Sequence, residues 1–419
     1  MHNLLKILSL KRLTALLFLL GFLWLGLTIV EDYGISWDEP IQLDIGIANY
    51  RYLKGADQTL LELKDRHYGP LFEIFLVRFM DQSSSQSIFI SRHRLNFLAF
   101  WVGILGFYLL LEGIYPRRWL PLLGALTLVF SPRLFADAFY NSKDIPFMVL
   151  IVWAMLAMSF YLRQPSLTRL LLASFYSAAS IAVRLPGVFL IVLTLLMLVR
   201  EVLARRLSLR RAAGHGLLYL LVSTALIFLF YPVFWRDPLT EIPQAFEIMA
   251  NFPHFASVLY LGHFLSPQEL PWHYLPVWIG ITTPIPYLVL ILIGSGRVLW
   301  GWLKKPPALL NTGQTPFVLA ALWLGLPVGA VIVRNSPLYD GWRQMFFIYP
   351  ALLIFAAAGW DWLLAAIRQH FTNRRLTGLL TAALLAVTFL PPGLWMAAHH
   401  PYQNLYFNRL AGPDMQTVK

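Results

Sequence analysis

The stretch LTALLFLLGFLWLGLTIVEDYGISWDEP, residues 13–40, decides the class of this protein. Its apolar part, residues 13–30, is longer than the core of a signal peptide and lacks a small-residue cleavage site. We therefore expect an uncleaved membrane-spanning helix. Where the chain leaves that helix, two adjacent carboxylates, Asp38 and Glu39, stand at the expected membrane surface.

The composition extends this interpretation to the whole chain. Of 419 residues, 58% are hydrophobic and only 13% are charged, whereas soluble domains carry about 25% charged residues. These values predict an all-α polytopic membrane protein. The sequence contains no cysteine, so disulfides and thiolate-bound metal or redox centres are excluded.

Several further apolar runs are long enough to cross a hydrocarbon core of about 30 Å, which needs roughly 20 residues. Together with the first run they predict about eleven transmembrane helices. The runs lie near residues 13–31, 94–113, 119–136, 146–162, 170–183, 185–199, 214–232, 276–296, 316–333, 345–366 and 376–395.

Two of these runs, near 170–183 and 185–199, are short and are separated only by Val183-Arg184-Leu185-Pro186-Gly187. One long kinked helix is the alternative to two spans. Basic residues precede the pair at Arg163 and follow it at Arg200. If both flanks are cytoplasmic, the chain must cross an even number of times between them, which two spans satisfy.

The net charge of +12 follows from where the basic residues lie. Alternation of the spans puts the amino terminus and nearly every basic cluster inside, and the carboxyl terminus and nearly every acidic residue outside. The inside residues, besides the arginines around the short pair, are Lys6, Lys11, Arg12, Arg117, Arg118, Arg297, Lys304, Lys305, Arg368, Arg374 and Arg375. The positive charge is therefore a topology signal, and we expect no nucleic-acid binding.

The first long outer loop contains two segments too short to cross a membrane, residues 41–54 and 70–80. Both mix apolar and polar side chains, which favours helices lying along the membrane surface. We divide the chain into a transmembrane domain, 1–396, with long extracytoplasmic loops at 32–93 and 233–275, and a short extracytoplasmic tail, 397–419.

The predicted outer face collects both carboxylates and cations. A carboxylate can remove the proton of an attacking hydroxyl, and clustered Arg and Lys can hold a phosphate and stabilise it as it leaves. A site with both at the lipid boundary suits a reaction on a lipid-linked phosphate. Charge and sidedness alone equally permit a proton-coupled secondary transporter.

Each polar residue also has a structural explanation. Glu39 and Asp144 fit the first turn of a helix, where the helix dipole favours acids. Arg184 can reach into lipid headgroups at the membrane edge, and His67 alone fits a hydrogen-bonded structural group. The isolated features therefore do not decide the function.

The order of five segments is more informative. They resemble those of integral-membrane glycosyltransferases with the GT-C fold, and more narrowly the bacterial relatives of protein O-mannosyltransferases and of lipid A aminoarabinose transferases. The segments are GISWDEP (34–40), RHYGPLFEI (66–74), SPRLFADAFYNSKDIPF (131–147), DGWRQMFFIYP (340–350) and HPYQNLYFN (400–408). The resemblance therefore covers most of the chain.

The resemblance implies roles for individual residues. Asp38 matches the family's base for the acceptor hydroxyl, and the neighbouring Glu39 supports that base or positions the acceptor. Asp144 matches the aspartate that ends the family's second outer loop, with Lys143 beside it as a donor-phosphate contact. Arg184 matches the basic residue before the break between the fifth and sixth helices.

The first loop departs from the family pattern. In the aminoarabinose transferases a Lys-Pro-Pro segment occupies this loop, whereas here the chain reads His67-Tyr68-Gly69-Pro70. The phosphate role of that segment then passes to His67 or Arg66. Arg343, in the fourth of the resembling segments, completes the expected phosphate site.

The implied activity is that of a hexosyl- or pentosyltransferase. It displaces a polyprenyl phosphate with inversion at the sugar carbon and passes the sugar to a hydroxyl of a lipid, glycan or protein. No cofactor is expected, because the divalent metal of some distant GT-C enzymes is bound by an Asp-x-Asp segment and the outer loops contain none. The expected location is the inner membrane of a bacterium, with the site on the periplasmic face.

Two rival interpretations stay open. A transporter needs ionisable residues near the bilayer midplane and usually has two related halves, whereas the mid-helix positions here are almost free of charge. The second rival interpretation is a non-catalytic assembly subunit that keeps the fold. Similar proteins commonly continue beyond the last span, so the sequence leaves acceptor recognition open.

Overall fold

The structure is a computed structural model that describes residues 10–116, 118–250 and 256–412. Lys6 and Arg117, two of the cations predicted to lie inside, and residues 413–419 of the tail fall outside this part of the chain. Within it the chain forms seventeen α-helices and one two-stranded hairpin. The predicted all-α class is confirmed, with the hairpin as a small addition.

The helices α1 to α17 and the strands follow one another along the chain. They are α1 (Leu10–Ile29), α2 (Glu39–Leu53), α3 (Thr59–Glu62), α4 (Leu71–Phe79), α5 (Ser85–Ile114), α6 (Leu120–Val129), α7 (Pro132–Tyr140), α8 (Asp144–Arg163), α9 (Leu167–Val183), α10 (Phe189–Leu203), α11 (Leu209–Phe230), α12 (Pro238–Ala250), β1 (Val258–Tyr260), β2 (His263–Leu265), α13 (Tyr274–Thr282), α14 (Ile285–Lys304), α15 (Thr315–Val333), α16 (Tyr349–His370) and α17 (Arg374–Ala398). Short 3₁₀ turns lie at Val30–Asp32, Leu185–Val188, Pro232–Trp235, Pro306–Leu310, Thr312–Gln314, Arg343–Ile348, Gln403–Leu405 and Arg409–Ala411.

Nine helical segments in the described residues are long and apolar enough to cross a membrane. A tenth crossing exists if α6 and α7, which meet at 67°, form one broken span. The remaining predicted run is α9, whose 17 residues extend only about 25 Å against a core of about 30 Å. The chain is a multi-pass membrane protein, and a total of eleven spans stays a prediction.

Two predicted spans are interrupted before a proline. The run at 276–296 separates into α13 and α14 at Thr283-Pro284, and the run at 119–136 separates into α6 and α7 before Pro132. Thr283 (ψ 136°) and Ser131 (ψ 101°) are extended, because a proline ring disfavours the helical conformation in the residue before it. These boundaries correct the sequence-based spans.

The break between the two short apolar runs is confirmed. Helix α9 ends at Val183, Arg184 is extended with ψ 128°, and a 3₁₀ turn leads into α10. The chain therefore carries Arg184 between the end of α9 and the start of α10.

The long loops are structured. Both segments predicted as surface helices are helical, α2 and α4, and they pack against each other. Their approach is close, since a Cβ on Gly46 would lie 2.8 Å from the Val77 side chain. The second long loop contains α12 and the antiparallel hairpin, which pairs Val258 with Leu265. The position of these loops relative to the membrane stays a prediction.

Ion pairs sort the polar ends of the bundle into two groups. At one end Arg12 lies 2.8 Å from Glu112, and at the other His400 lies 2.8 Å from Asp32. Every ion pair within the described ranges joins residues that the alternation of spans predicts on the same side. Which end faces the cytoplasm stays a prediction.

Candidate active site

Arg343 is the centre of a cluster that joins three segments far apart in the sequence. Its guanidinium lies 2.6 Å from Oδ2 of Asp38, 2.8 Å from Oδ2 of Asp340 and 3.6 Å from Oδ2 of Asp144. The turn that carries Arg343 begins after Asp340, whose φ of 53° lies in the left-handed region. A non-glycine residue held there is strained, as is common where a chain is bent to present a side chain.

Asp144 forms the buried side of this cluster. It is only 2% exposed, pairs with Arg184 and accepts a hydrogen bond from Nδ2 of Asn141 at 3.0 Å. Its position is fixed because it is the first residue of α8, a largely buried helix. Asp144 therefore contacts Arg184 and Arg343 from the buried side of the cluster. Burial lowers the pKa of Arg184 to about 10, so that side chain stays charged at neutral pH.

Lys143 supplies a cation without a carboxylate partner. Its ammonium nitrogen lies 3.8 Å from the centroid of the Tyr68 ring. Within the described part of the chain no carboxylate lies at ion-pair distance from it. Burial, and then the neighbouring charge of Arg184, lower the pKa of Lys143 well below its usual value. Such a cation gains a charge-assisted hydrogen bond when an anion binds.

Asp38 combines ionisation with a free oxygen. Burial raises its pKa, but the charges of Arg343, Lys143 and Arg184 outweigh burial and hold the pKa of Asp38 below its usual range. Arg343 donates to Oδ2, and no donor among the described residues reaches Oδ1. The carboxylate is therefore ionised at neutral pH and can accept a proton or a hydrogen bond through Oδ1.

Glu39, predicted to support the base or to position the acceptor, has different partners from its neighbour Asp38. It is 2% exposed, and both of its oxygens are occupied. Oε1 lies 2.8 Å from Nε2 of His93, and Oε2 accepts from the backbone N–H of Ser36 at 2.7 Å. These contacts favour the supporting role over direct contact with an acceptor.

His67 and Arg66 meet a different acid. Nε2 of His67 lies 2.6 Å from Oε2 of Glu241, and Nε of Arg66 lies 3.3 Å from the same oxygen. Burial lowers the pKa of His67. The pair thus ties the first long loop to α12 of the second. A phosphate contact by either residue stays a prediction.

The structure brings together most of the predicted site residues. Five of them, Asp38, Lys143, Asp144, Arg184 and Arg343, form the cluster described above, Glu39 lies beside it, and His67 and Arg66 lie on Glu241.

Two cavities meet at this cluster. One, of about 670 Å³, is the more polar of the two, is called the polar cavity, and is lined by Asp38 and Arg343 among others. The other, of about 460 Å³, lies mainly against apolar residues of α10 and α15 and is lined by Arg184 at one side. The residues that line both cavities are Tyr68, Lys143 and Tyr339. The two spaces are therefore neighbours that share a wall carrying a cation.

No protein-family model and no curated protein matches the sequence. Among solved structures, ArnT from Cupriavidus metallidurans, crystallised with undecaprenyl phosphate, superposes over 93% of this chain and 73% of its own. The TM-score is 0.53 at 15% sequence identity. The chain has the ArnT fold. The resemblance to GT-C membrane proteins that the five segments predicted is thus confirmed at the level of the fold.

Within this ArnT-like fold, α7 adds two charged residues to the polar cavity that the sequence analysis did not select, Asp137 and Arg133. Oδ1 of Asp137 accepts from Nδ2 of Asn141 at 2.7 Å, and Nε of Arg133 donates to the carbonyl of Tyr406 at 2.9 Å. Their spacing of four residues, which places both on one helix face, was the available signal.

The tail after α17 also reaches the site. Asn404 lines the polar cavity. The backbone N–H of Asn408 donates to the carbonyl of Ile281 at 2.8 Å, and Gln403 accepts from the hydroxyl of Tyr33 at 2.9 Å. The fifth resembling segment, HPYQNLYFN, therefore contributes Asn404 to the wall of the polar cavity.

A metal site does not emerge from these side chains. In residues 10–116, 118–250 and 256–412, no group of three or more His, Asp or Glu residues is placed to hold a metal ion. The cations of the cluster belong to Lys and Arg, whose N–H groups bind phosphate oxygens directly.

Proposed function

We propose that this protein is an inverting glycosyltransferase that moves a sugar from a polyprenyl-phosphate donor to a hydroxyl of a lipid, glycan or protein. The observation that carries the proposal is the shared wall of the two cavities, where Lys143 stands between an apolar and a polar space. A donor of this class has an apolar chain, an anionic phosphate and a polar sugar in that order. The apolar cavity takes the chain and the polar cavity takes the sugar.

The cations hold the phosphate at the junction. Lys143 and Arg184 line the apolar cavity at its polar side, and Arg343 lines the polar cavity. As the bond between the sugar carbon and the phosphate oxygen breaks, negative charge grows on the leaving phosphate. Fixed cations stabilise that charge without reorganising, which lowers the barrier.

Asp38 receives the proton. The acceptor hydroxyl donates to Oδ1 of Asp38, and its oxygen attacks the sugar carbon from the face opposite the phosphate. The new bond forms as the old one breaks, so the configuration inverts and no covalent enzyme intermediate is needed. The hydroxyl becomes acidic as its oxygen bonds to an oxocarbenium-like carbon, so a carboxylate of low pKa suffices as the base.

The solved relative supports the donor class, since that ArnT was crystallised with undecaprenyl phosphate. The proposed setting is the inner membrane of a bacterium, with the amino terminus in the cytoplasm and the cluster on the periplasmic side. There a polyprenyl-linked sugar keeps its chain in the lipid while its phosphate reaches the cluster.

The test is sugar transfer by the purified protein in lipid nanodiscs. A panel of undecaprenyl-phosphate-linked hexoses and pentoses is supplied together with a total envelope-lipid extract as acceptor. Release of undecaprenyl phosphate is measured by mass spectrometry. We expect release by the wild type, and loss of about 10³-fold or more in Asp38→Asn, which keeps the shape but removes the base.

Asp57→Asn is the matched control, because Asp57 lies in the same loop and pairs with Arg51 at the surface. It should keep the wild-type rate. An Asp38→Asn enzyme as fast as the wild type would reject Asp38 as base. Sugar-dependent uptake into proteoliposomes without release of undecaprenyl phosphate would instead support the transporter.

A further inference from the structure

Helix α5 carries two consecutive ionisable residues that are almost completely buried, Arg92 and His93. Their exposed fractions are 1% and 2%. Burying such groups in a membrane protein is costly unless each finds a polar partner. Neither side chain lines the polar or the apolar cavity, so the proposed reaction does not use them directly.

His93 reaches the segment that carries Asp38. Its Nε2 atom lies 2.8 Å from Oε1 of Glu39, the residue next to Asp38. Glu39 in turn accepts from the backbone N–H of Ser36 and begins α2. The contact fixes the first turn of α2 against α5, and with it the backbone from which Asp38 projects.

Arg92 reaches the segment that carries Lys143 and Asp144. Its Nη2 atom lies 2.8 Å from Oε2 of Glu73, and the other oxygen of Glu73 accepts from the hydroxyl of Ser142 at 2.5 Å. Ser142 directly precedes Lys143 and Asp144. Glu73 is itself 2% exposed, so this chain of contacts runs through the interior of the protein.

The two contacts diverge because of helix geometry. Consecutive residues of an α-helix point about 100° apart, so Arg92 and His93 reach two different segments from one turn of α5. One segment carries the base and the other carries the unpaired cation. Reacting groups held this way keep their separation, and a displacement of about 1 Å can cost about 100-fold in rate.

We propose that Arg92 and His93 are positioning residues that set the Asp38 segment and the Lys143-Asp144 segment at a fixed separation across the polar cavity. The proposal rests on the function proposed above and assigns neither residue a contact with substrate. It predicts different effects for the two side chains. Loss of His93 misplaces Asp38, the base. Loss of Arg92 misplaces Lys143, the phosphate-binding cation.

The test compares purified variants in nanodiscs by kcat, by the Kd of undecaprenyl phosphate and by hydrogen exchange of peptides covering 36–42 and 141–147. We expect His93→Leu to lower kcat about 100-fold, to change Kd by less than about threefold and to speed exchange in 36–42. His93→Gln, whose amide can still donate to Glu39, should recover most of kcat. Arg92→Met should lower kcat, raise Kd about tenfold or more and speed exchange in 141–147.

Arg94→Met is the matched control, because Arg94 lies on the same helix but pairs with Glu31 at the surface. It should leave kcat, Kd and exchange unchanged. Wild-type kcat and local exchange in His93→Leu would overturn the proposal. Equally faster hydrogen exchange in both segments from either single variant would also overturn it, and so would a kcat that does not recover in His93→Gln. Both results indicate general destabilisation.

Hydrogen exchange separates this proposal from the proposed function. If the wild type transfers no sugar but the two variants loosen their own segments as described, the positioning role holds and the transferase reaction is wrong. If transfer is present and neither variant affects its segment, the positioning role fails while the reaction stands.

Discussion

Replacing Arg343 by glutamine removes the cation that joins Asp38, the proposed base, to the rest of the cluster. Its guanidinium contacts Asp38 at 2.6 Å and Asp340 at 2.8 Å, and lies 3.6 Å from Asp144. We expect Arg343→Gln to move the acidic limb of the pH–rate profile to higher pH and to lower kcat. Both effects follow from one lost charge.

The direction of the pH shift follows from the proposed role of Asp38 as the base. A base works only when ionised, so the rate falls as the pH drops through its pKa. Burial raises the pKa of Asp38, and the charges of Arg343, Lys143 and Arg184 lower it by more. Removing the first of these cations therefore raises the pKa of Asp38 and moves the acidic limb upward.

The magnitude follows from geometry and exposure. An arginine beside a carboxylate lowers its pKa by about one to three units. About a third of the Asp38 side chain is exposed, so solvent screening favours the lower end. Two further cations remain, and we expect a shift of about one pH unit. The drop in kcat should be about 10² to 10³-fold, the usual effect of removing one donor that stabilises developing charge.

The assay is the release of undecaprenyl phosphate at saturating donor between pH 4 and pH 9. Arg343→Lys should fall between wild type and Arg343→Gln, because one ammonium cannot hold two carboxylates as a guanidinium does. Arg334→Gln is the control, since Arg334 is an exposed arginine just before the same turn. An unchanged acidic limb in Arg343→Gln would refute the electrostatic reasoning, whatever happens to kcat.

Three other predictions concern binding and stability. Lys143→Met should weaken undecaprenyl-phosphate binding about 10- to 100-fold, with the exposed Lys64→Met as control. Because the pKa of Lys143 is lowered, the affinity of the wild type should fall as the pH rises through that pKa, which binding titrations at several pH values measure. Gly69→Ala should lower the free energy of unfolding by about 1–3 kcal/mol, since the Cβ of the alanine would lie 2.2 Å from the carbonyl oxygen of Val183. Glu201→Gln should lower the apparent Tm without changing kcat, because it removes the acid of a buried cluster with two arginines at the far end of the bundle, a loss of about 3–5 kcal/mol.

The membrane helices were predictable because hydropathy depends on composition along the chain. All eleven apolar runs form helices. The errors are at Pro132 and Pro284, where continuous apolarity hid a local constraint on the preceding residue. The hairpin was missed for a related reason. Its turn uses Leu261 and Gly262 at φ of 50° and 80°, and the leucine lacks the usual Asn or Asp signature of such turns.

The site was predictable only in part. Segment order and charge indicated that Asp38, Lys143, Asp144, Arg184 and Arg343 would meet, and they do. What spacing cannot supply is the partner of each side chain. A single helix rotation decides whether an acid faces a cavity or a neighbouring helix, and that rotation depends on packing against distant segments.

Glu39 and His67 illustrate this limit. Glu39 is adjacent to Asp38 in sequence, yet it pairs with His93, 54 residues away. The resemblance aligns His67 with a lysine-bearing motif, whereas in the structure it pairs with Glu241, 174 residues away. In both cases a buried polar side chain is satisfied by a residue that the motif did not include.

Lys143 gives the physical reason to place an anionic lipid at the junction. A buried ammonium without a carboxylate is less stable than a paired one, and its lowered pKa records that cost. The neighbouring acids are already held by Arg184 and Arg343. An incoming phosphate restores the missing pairing at one point, and the two cavities that meet there favour a phosphate with an apolar chain on one side and a polar group on the other. A soluble phosphate would satisfy the charge but leave the apolar cavity unused, which is why the affinity for undecaprenyl phosphate should greatly exceed that for inorganic phosphate.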